Sequence, residues 1–285
     1  MHFLSFTWDP SKGIDIFGFT LHFYSLTWIA AFLVGFAIMK RIFKNENQSE
    51  KDLDALFMHS VLGIMIGARL GHVIFYQPEL FTEDFFSIFL PFSFKGGMHF
   101  TGFQGLASHG AAIALIFSLY LYNKKVLKKS ILWILDRMVV PAAIGGAFIR
   151  IGNFINSEII GIETGSDFGV VFKQLPVSMQ NPRHPAQLYE SLGYIIIFII
   201  LYYTYWKTSK SKNQGFLFGM YFLLTFTVRF FVEFIKEAQV DERSEWVLNT
   251  GQWLSIPMVL MGAYFVLIYS AFIQYTQEVV FRVRN

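Results

Sequence analysis

Seven stretches of the chain stay apolar for long enough to cross roughly 30 Å of hydrocarbon as helices. They lie near residues 20–39, 55–76, 104–122, 131–150, 185–206, 214–235 and 252–274. The polar positions between them alternate in character. Lys40, Arg41, Lys44 and Lys51 follow the first stretch. Lys124, Lys125, Lys128 and Lys129 follow the third, Lys207, Lys210 and Lys212 the fifth, and Arg282 and Arg284 the seventh. The other connections carry Glu79, Glu83 and Asp84, then Glu163 and Asp167, then Asp241, Glu242 and Glu245. Short basic connections mark the cytoplasmic side of a membrane protein. The pattern therefore predicts an all-α polytopic membrane protein with seven transmembrane helices, the N-terminus outside and the C-terminus cytoplasmic. That orientation requires an odd number of spans.

The same pattern marks two external excursions. Residues 151–184 hold Gly161, Gly165, Gly169, Pro176 and Pro182, with Pro185 just beyond, so an ordered non-helical excursion is expected there. Residues 77–103 include the run FFSIFLPFSF, which suits an amphipathic piece in the membrane interface. No fixed-period repeat or low-complexity tract interrupts the chain. One integral membrane domain over 1–285, with a small external loop region, is the expected organisation.

Composition supports this reading. Hydrophobic residues make up 54% of the 285, Phe alone numbers 34, and only 15% are charged, against about 25% in a soluble domain. The net charge of +3 is small; its placement matters more than its size. The first 20 residues lack a basic start and an unbroken apolar run, so no cleaved signal peptide is expected. There is no cysteine. Disulfides, cysteine metal sites and a cysteine nucleophile are thereby excluded, and any thiol in the chemistry must come from a substrate.

The ionisable residues are distributed on one side. With odd stretches running inward and even ones outward, His22 and Tyr24 open the first. Arg69 and His72 lie late in the second, His109 early in the third, and Arg150 ends the fourth. Arg183 and His184 precede the fifth, Arg229 and Glu233 come late in the sixth, and Gln252 opens the seventh. All fall in the outer half of the membrane. A charge at the bilayer centre costs at least about 2.5–3.5 kcal/mol, so this one-sided gathering predicts a polar chamber below the outer surface. Arg229 and Glu233, four apart, share a helix face, as do Arg69 and His72, three apart. Arg150 and Asn153 share one if the fourth helix continues that far, and Glu158 follows Asn156 in irregular backbone. Asp136 and Arg137, at the opposite end of the fourth stretch, read as a helix-end pair.

Taken singly, these residues have plainer readings. Tyr24 suits an interfacial aromatic belt, His109 suits helix packing, and Arg69 can snorkel outward. Arg183 and His184 can anchor the loop ahead of Pro185, Asn153 and Glu158 can cap a helix, and Arg229 with Glu233 can be a structural pair. Their order in the chain is more specific. Arg150-Ile-Gly-Asn-Phe-Ile-Asn-Ser-Glu158, Ser-His109-Gly, Arg183-His-Pro-Ala-Gln-Leu-Tyr-Glu190, Arg229-Phe-Phe-Val-Glu233 and Gly251-Gln-Trp-Leu-Ser-Ile-Pro257 follow one another, with His22-Phe-Tyr24 and Gly-Ala-Arg69-Leu-Gly before them. This series resembles the signature blocks of the bacterial phosphatidylglycerol–prolipoprotein diacylglyceryl transferase family over about residues 20–260. Ile149, Ser157 and Ala111 stand where that family usually has glycine. Gly-Gly-Met-His99-Phe also resembles the start of the histidine block; His109 is preferred because Ser-His-Gly runs directly into an apolar helix.

The resemblance implies a reaction. A diacylglyceryl group leaves phosphatidylglycerol for the lipobox cysteine thiol of a prolipoprotein signal peptide. A thioether forms and glycerol 1-phosphate is released, the first step of lipoprotein maturation, in the bacterial cytoplasmic (inner) membrane with the site facing the outer leaflet. It implies His109, Arg150, Arg229 and Glu233 as catalytic residues. Tyr24, Arg69, Asn153, Asn156, Glu158, Arg183, Gln187 and Gln252 are implied as substrate-binding residues. Arginine suits the phosphate because its planar fork of donors matches phosphate oxygens. The thiol, with a free pKa of about 8.5, needs a proton acceptor, either His109 or a phosphate oxygen held by arginine. No metal, organic cofactor or nucleic-acid partner is expected. A secondary transporter is the main rival class, but it would show a midplane site and inverted repeats. Serine and zinc hydrolases lack their motifs here.

Overall fold

A computed structural model of the chain describes residues 4–16, 19–101, 105, 107–238 and 247–269. The expectations that rest on Asp241, Glu242, Glu245, Arg282 and Arg284 lie outside the described residues, as do residues 104, 106 and 270–274 of two predicted spans.

Three short strands come first, β1 (Leu4–Trp8), β2 (Gly13–Ile16) and β3 (Phe19–His22). Helices α1 (Phe23–Asn45), α2 (Glu50–Tyr76) and α3 (Leu80–Glu83) follow, then β4 (Phe92–Ser93), β5 (His99–Phe100) and α4 (Ser108–Tyr122). The chain continues through α5 (Ile131–Ile155), β6 (Phe168–Phe172), α6 (Ala186–Lys207), α7 (Phe216–Val232) and α8 (Thr250–Ala263). Among the described residues six helices are long and apolar enough to cross a membrane: α1, α2, α5, α6, α7 with its turn to Ile235, and α8 with its turn to Tyr269. The third predicted span is helical over 15 residues as α4 and continues as a π helix through Leu127. Large side chains on these helices, among them Ile113, Ile196, Ile199 and Leu260, are exposed to the surroundings. A face of that size and apolarity suits lipid rather than water.

The long helices agree with the all-α polytopic membrane protein expected from the sequence, and the described residues add three small two-stranded sheets outside those helices. β1 runs parallel to β6, from Leu4 opposite Phe168 to Trp8 opposite Phe172. β2 and β3 form an antiparallel hairpin, and β4 pairs with β5. These segments are too short to span a bilayer and satisfy their backbone groups in pairs instead.

The chain divides into two compact units, Lys40–Ile134 and the residues on either side of it. Within Lys40–Ile134, α2 lies directly on α4. A Cβ added at Gly67 would meet the Gly110 carbonyl oxygen at 2.5 Å, and one at Gly71 would meet the Gly110 Cα at 2.8 Å. Small residues at four-residue spacing let two helix backbones approach where lipid offers no hydrophobic drive. Tyr122 Oη donates to the Asp52 carbonyl at 2.9 Å and Ser118 Oγ to that of His59 at 2.7 Å. Residues 77–101 form the expected excursion, with Phe85, Phe86, Phe89, Phe94 and Phe100 exposed. Ser93 Oγ and the Phe94 amide donate to Asp84 at 2.6 and 3.0 Å, and these bonds, the serine's foremost, hold the Asp84 carboxyl below the usual carboxylate range.

In the other unit, Trp8 carries β1 onto a small core of Phe154, Ile160, Val170 and Phe172. Its indole donates to the Phe154 carbonyl at 3.0 Å. Asp136 and Arg137 pair as expected, at a loose 3.9 Å, because adjacent helix residues do not face each other squarely. The fully buried Asp136 also accepts from the Gly215 and Phe218 amides at 2.7 and 2.8 Å. Gly215 stands at the N-cap of α7 and has no side chain to do this itself.

Candidate functional site

Helix α5 continues five residues past Arg150, so Arg150 and Asn153 share a face. Arg150 Nη1 donates to Asn153 Oδ1 at 3.1 Å. Asn153 Nδ2 in turn donates to Glu158 Oε2 at 3.2 Å, and Asn156 Nδ2 to Glu158 Oε1 at 3.1 Å. The turn between them is strained. Ser157 has φ +56° and Ile159 has φ +55°, a left-handed conformation that glycine adopts freely and a β-branched residue avoids. This gives a physical reason for the family's glycine at position 157. Gln187, fully buried on the first turn of α6, donates to the Glu158 carbonyl at 2.5 Å and holds the turn from below.

A second set of contacts joins α5, α6 and the end of α7. Glu190, one turn into α6 and fully buried, places Oε2 2.6 Å from Arg150 Nε and Oε1 3.3 Å from Lys236 Nζ. Lys236 also meets Glu233 Oε2 at 2.9 Å. The Arg150 guanidinium further bonds the Tyr194 hydroxyl. Arg229 lies one turn before Glu233, over the Phe226 ring at 5.6 Å, and its Nε is buried without a hydrogen-bond partner among the described residues. Gln252 and Asn249 form a capping box at the start of α8. Asn249 Nδ2 donates to the Glu233 carbonyl at 3.0 Å, and Gln252 Nε2 to that of Phe230 at 3.4 Å. Glycine at 251 leaves room for the Glu233 carboxylate, which a Cβ there would displace. Tyr24 opens α1 with its ring against Gly152, where a Cβ would meet Tyr24 Cδ2 at 2.7 Å.

The structure thus brings Arg150, Asn153, Asn156, Glu158, Gln187 and Glu233 into one connected network, with Tyr24, Arg229 and Gln252 packed on its elements. Arg183 lies in the same unit with its guanidinium tied to the loop. It donates to the Met179 and Gly161 carbonyls at 3.0 and 3.1 Å and pairs with Glu237 at 2.6 Å and Glu163 at 3.4 Å. Arg69 and His109 belong to the Lys40–Ile134 unit. Arg69 donates to the carbonyls of Ser87 and Ile88 at 3.0 and 3.3 Å, fixing the middle of the segment 77–101. His109 sits exposed on the first turn of α4. Sequence reasoning passed over Glu190, Tyr194 and Lys236. Glu190 carried a signal, since an acidic residue beside an apolar run needs a partner.

A buried group of cations whose carboxylates fix their direction is suited to an anion with several oxygens. Among the described residues no group of three or more His, Cys, Asp or Glu could hold a metal ion.

Comparison with known proteins agrees with this chemistry. The model of a family described as prolipoprotein diacylglyceryl transferase matches residues 12–268. A protein of Bacteroides fragilis named phosphatidylglycerol–prolipoprotein diacylglyceryl transferase is 42% identical over 269 residues, covering 93% of this chain and 96% of its own. Proteins of the same name from Tolumonas auensis and Chloroherpeton thalassium are each 38% identical. They cover 85% and 90% of this chain and 88% and 91% of their own length.

Proposed function

Since the chain belongs to the prolipoprotein diacylglyceryl transferase family, we propose that it moves the diacylglyceryl group of phosphatidylglycerol onto the lipobox cysteine of a prolipoprotein. The cysteine sulfur attacks the glyceryl carbon, the carbon–oxygen bond to phosphate breaks, and glycerol 1-phosphate departs with the bonding pair. The thiol proton passes to His109 or to a phosphate oxygen held by arginine. The protein is a multi-pass membrane protein, and α4 with its π turn counts as the seventh span. The N-terminus then lies outside, the C-terminus in the cytoplasm, and the site opens toward the outer leaflet of the inner membrane.

The observation that carries this reading is Arg150, held at Nε by Glu190 and at Nη1 by Asn153. A guanidinium fixed before substrate arrives needs no reorganisation as charge develops on the leaving phosphate. Arg229 supplies the second cation, with Glu233 and Lys236 on the next turn. Asn153, Asn156 and Glu158 orient the glycerol hydroxyls and the arginine, and Tyr24 bonds the head group. Arg69, Arg183, Gln187 and Gln252 complete the substrate surfaces.

The test incubates purified protein with phosphatidylglycerol and a synthetic lipobox peptide. A peptide mass gain of one diacylglyceryl group, matched by glycerol phosphate release and lost in Arg150→Ala, is the expected outcome. A folded wild type that yields neither product overturns the reading.

A further inference from the structure

Glu190 is the hinge of the charged network. It is fully buried in a helix long and apolar enough to cross a membrane, a setting in which a lone carboxylate is disfavoured. Its contact with Arg150 is at Nε, while Asn153 takes Nη1. Asn153 supplies a hydrogen bond at Nη1 and Glu190 an ion pair at Nε, with no hydrogen bond to either carboxylate oxygen among the described residues, so the planar group is held from two of its nitrogens. The other oxygen of Glu190 faces Lys236, which is held in turn by Glu233. One carboxylate on α6 therefore ties the arginine of α5 to Lys236, which lies just past the end of α7 and seven residues beyond Arg229.

We propose that Glu190 is a positioning residue for the transfer reaction, setting the plane of the Arg150 guanidinium against the phosphodiester and, through Lys236, the placement of α7. It touches no substrate itself. The inference rests on the reading of Arg150 as the phosphate-holding arginine.

The test measures single-turnover transfer from phosphatidylglycerol to a lipobox peptide in full-length protein. Glu190→Gln, close to the wild type in shape, is expected to slow transfer about 10- to 100-fold, the scale of a misdirected catalytic group. The KM for phosphatidylglycerol should not rise, because the site gains positive charge. Glu190→Asp keeps the charge but withdraws it by one methylene, and an intermediate rate is expected. It also serves if the glutamine variant fails to fold. In the Arg150→Lys background no Nε remains to be oriented, so adding Glu190→Gln should slow transfer further by only about twofold, the limit of simple additivity. Wild-type rates in both single variants, or an equal slowing by Glu190→Gln with Arg150 and with Arg150→Lys, would overturn the inference and make Glu190 a packing residue. A wild type that transfers nothing fails the reading of the reaction instead.

Discussion

The two ends of α5 each bury a charge, and they handle it in opposite ways. Near the start, both oxygens of Asp136 accept backbone amides of α7. Fourteen residues on, about 21 Å along the axis, Arg150 is held by side chains alone, those of Asn153, Glu190 and Tyr194. Backbone donors cannot turn away, so the first arrangement is a fixed joint between two helices. Side-chain partners can yield to a ligand of matching charge, so the second is an adjustable one. One helix carries a structural charge at one end and a working charge at the other, and the partner type distinguishes them.

Four measurements probe that contrast. Arg150→Ala should remove about 10²–10³-fold or more of the transfer rate, the scale of a lost preorganised donor, with a smaller fall in melting temperature than Asp136→Ala, because Glu190 keeps Lys236 as a partner. A stability loss comparable to that at the other end would erase the distinction. Asp136→Ala should do the reverse. Two amides at the start of α7 lose their acceptor, at about 1–3 kcal/mol each, so melting in detergent should fall while turnover per folded molecule stays near normal. Ser157→Gly relieves a left-handed serine and should stabilise the protein by about 0.5–1 kcal/mol; an unchanged or lower melting temperature would mean that the serine side chain compensates for the strain. The smallest effect concerns Asp84. Its carboxyl is held below the usual carboxylate range, so its bonds to Ser93 and Phe94 stabilise the folded form above the ordinary aspartate pKa of about 3.9. They are lost as pH falls through the lower folded value. Faster amide exchange at Phe94 under acid conditions, absent in Asp84→Asn, is the expected sign.

Much of this was legible from the chain, for reasons that also explain the gaps. Apolar runs located the long helices, because a helix needs only local sequence and length. The spacing of Arg150 and Asn153 predicted a shared face, and the bond between them bears this out. The β1–β6 pairing was not legible, since nothing local in LSFTW announces a partner far along the chain. Asp136 does pair loosely with its neighbour Arg137, but its shorter bonds, to the Gly215 and Phe218 amides of a distant segment, were not legible. Glu190 was quoted within a block but given no role. Its meaning depends on Arg150 and Lys236 arriving from two other segments, which only the folded chain brings together.

The parallel pairing of β1 with β6 has a consequence for biogenesis. Leu4 meets Phe168, so the first strand made must wait for roughly 160 further residues before its partner exists, about 8–30 s at ordinary synthesis rates. During that interval several helices enter the membrane while the strand's edge stays unsatisfied. The turn carrying Glu158 lies between α5 and β6, and Trp8 of β1 donates to the Phe154 carbonyl just ahead of it, a bond that forms only with that late pairing. The chain's earliest residues thus complete its site among the last, and a bulky tag fused ahead of Leu4 would be expected to delay maturation of the enzyme more than its insertion.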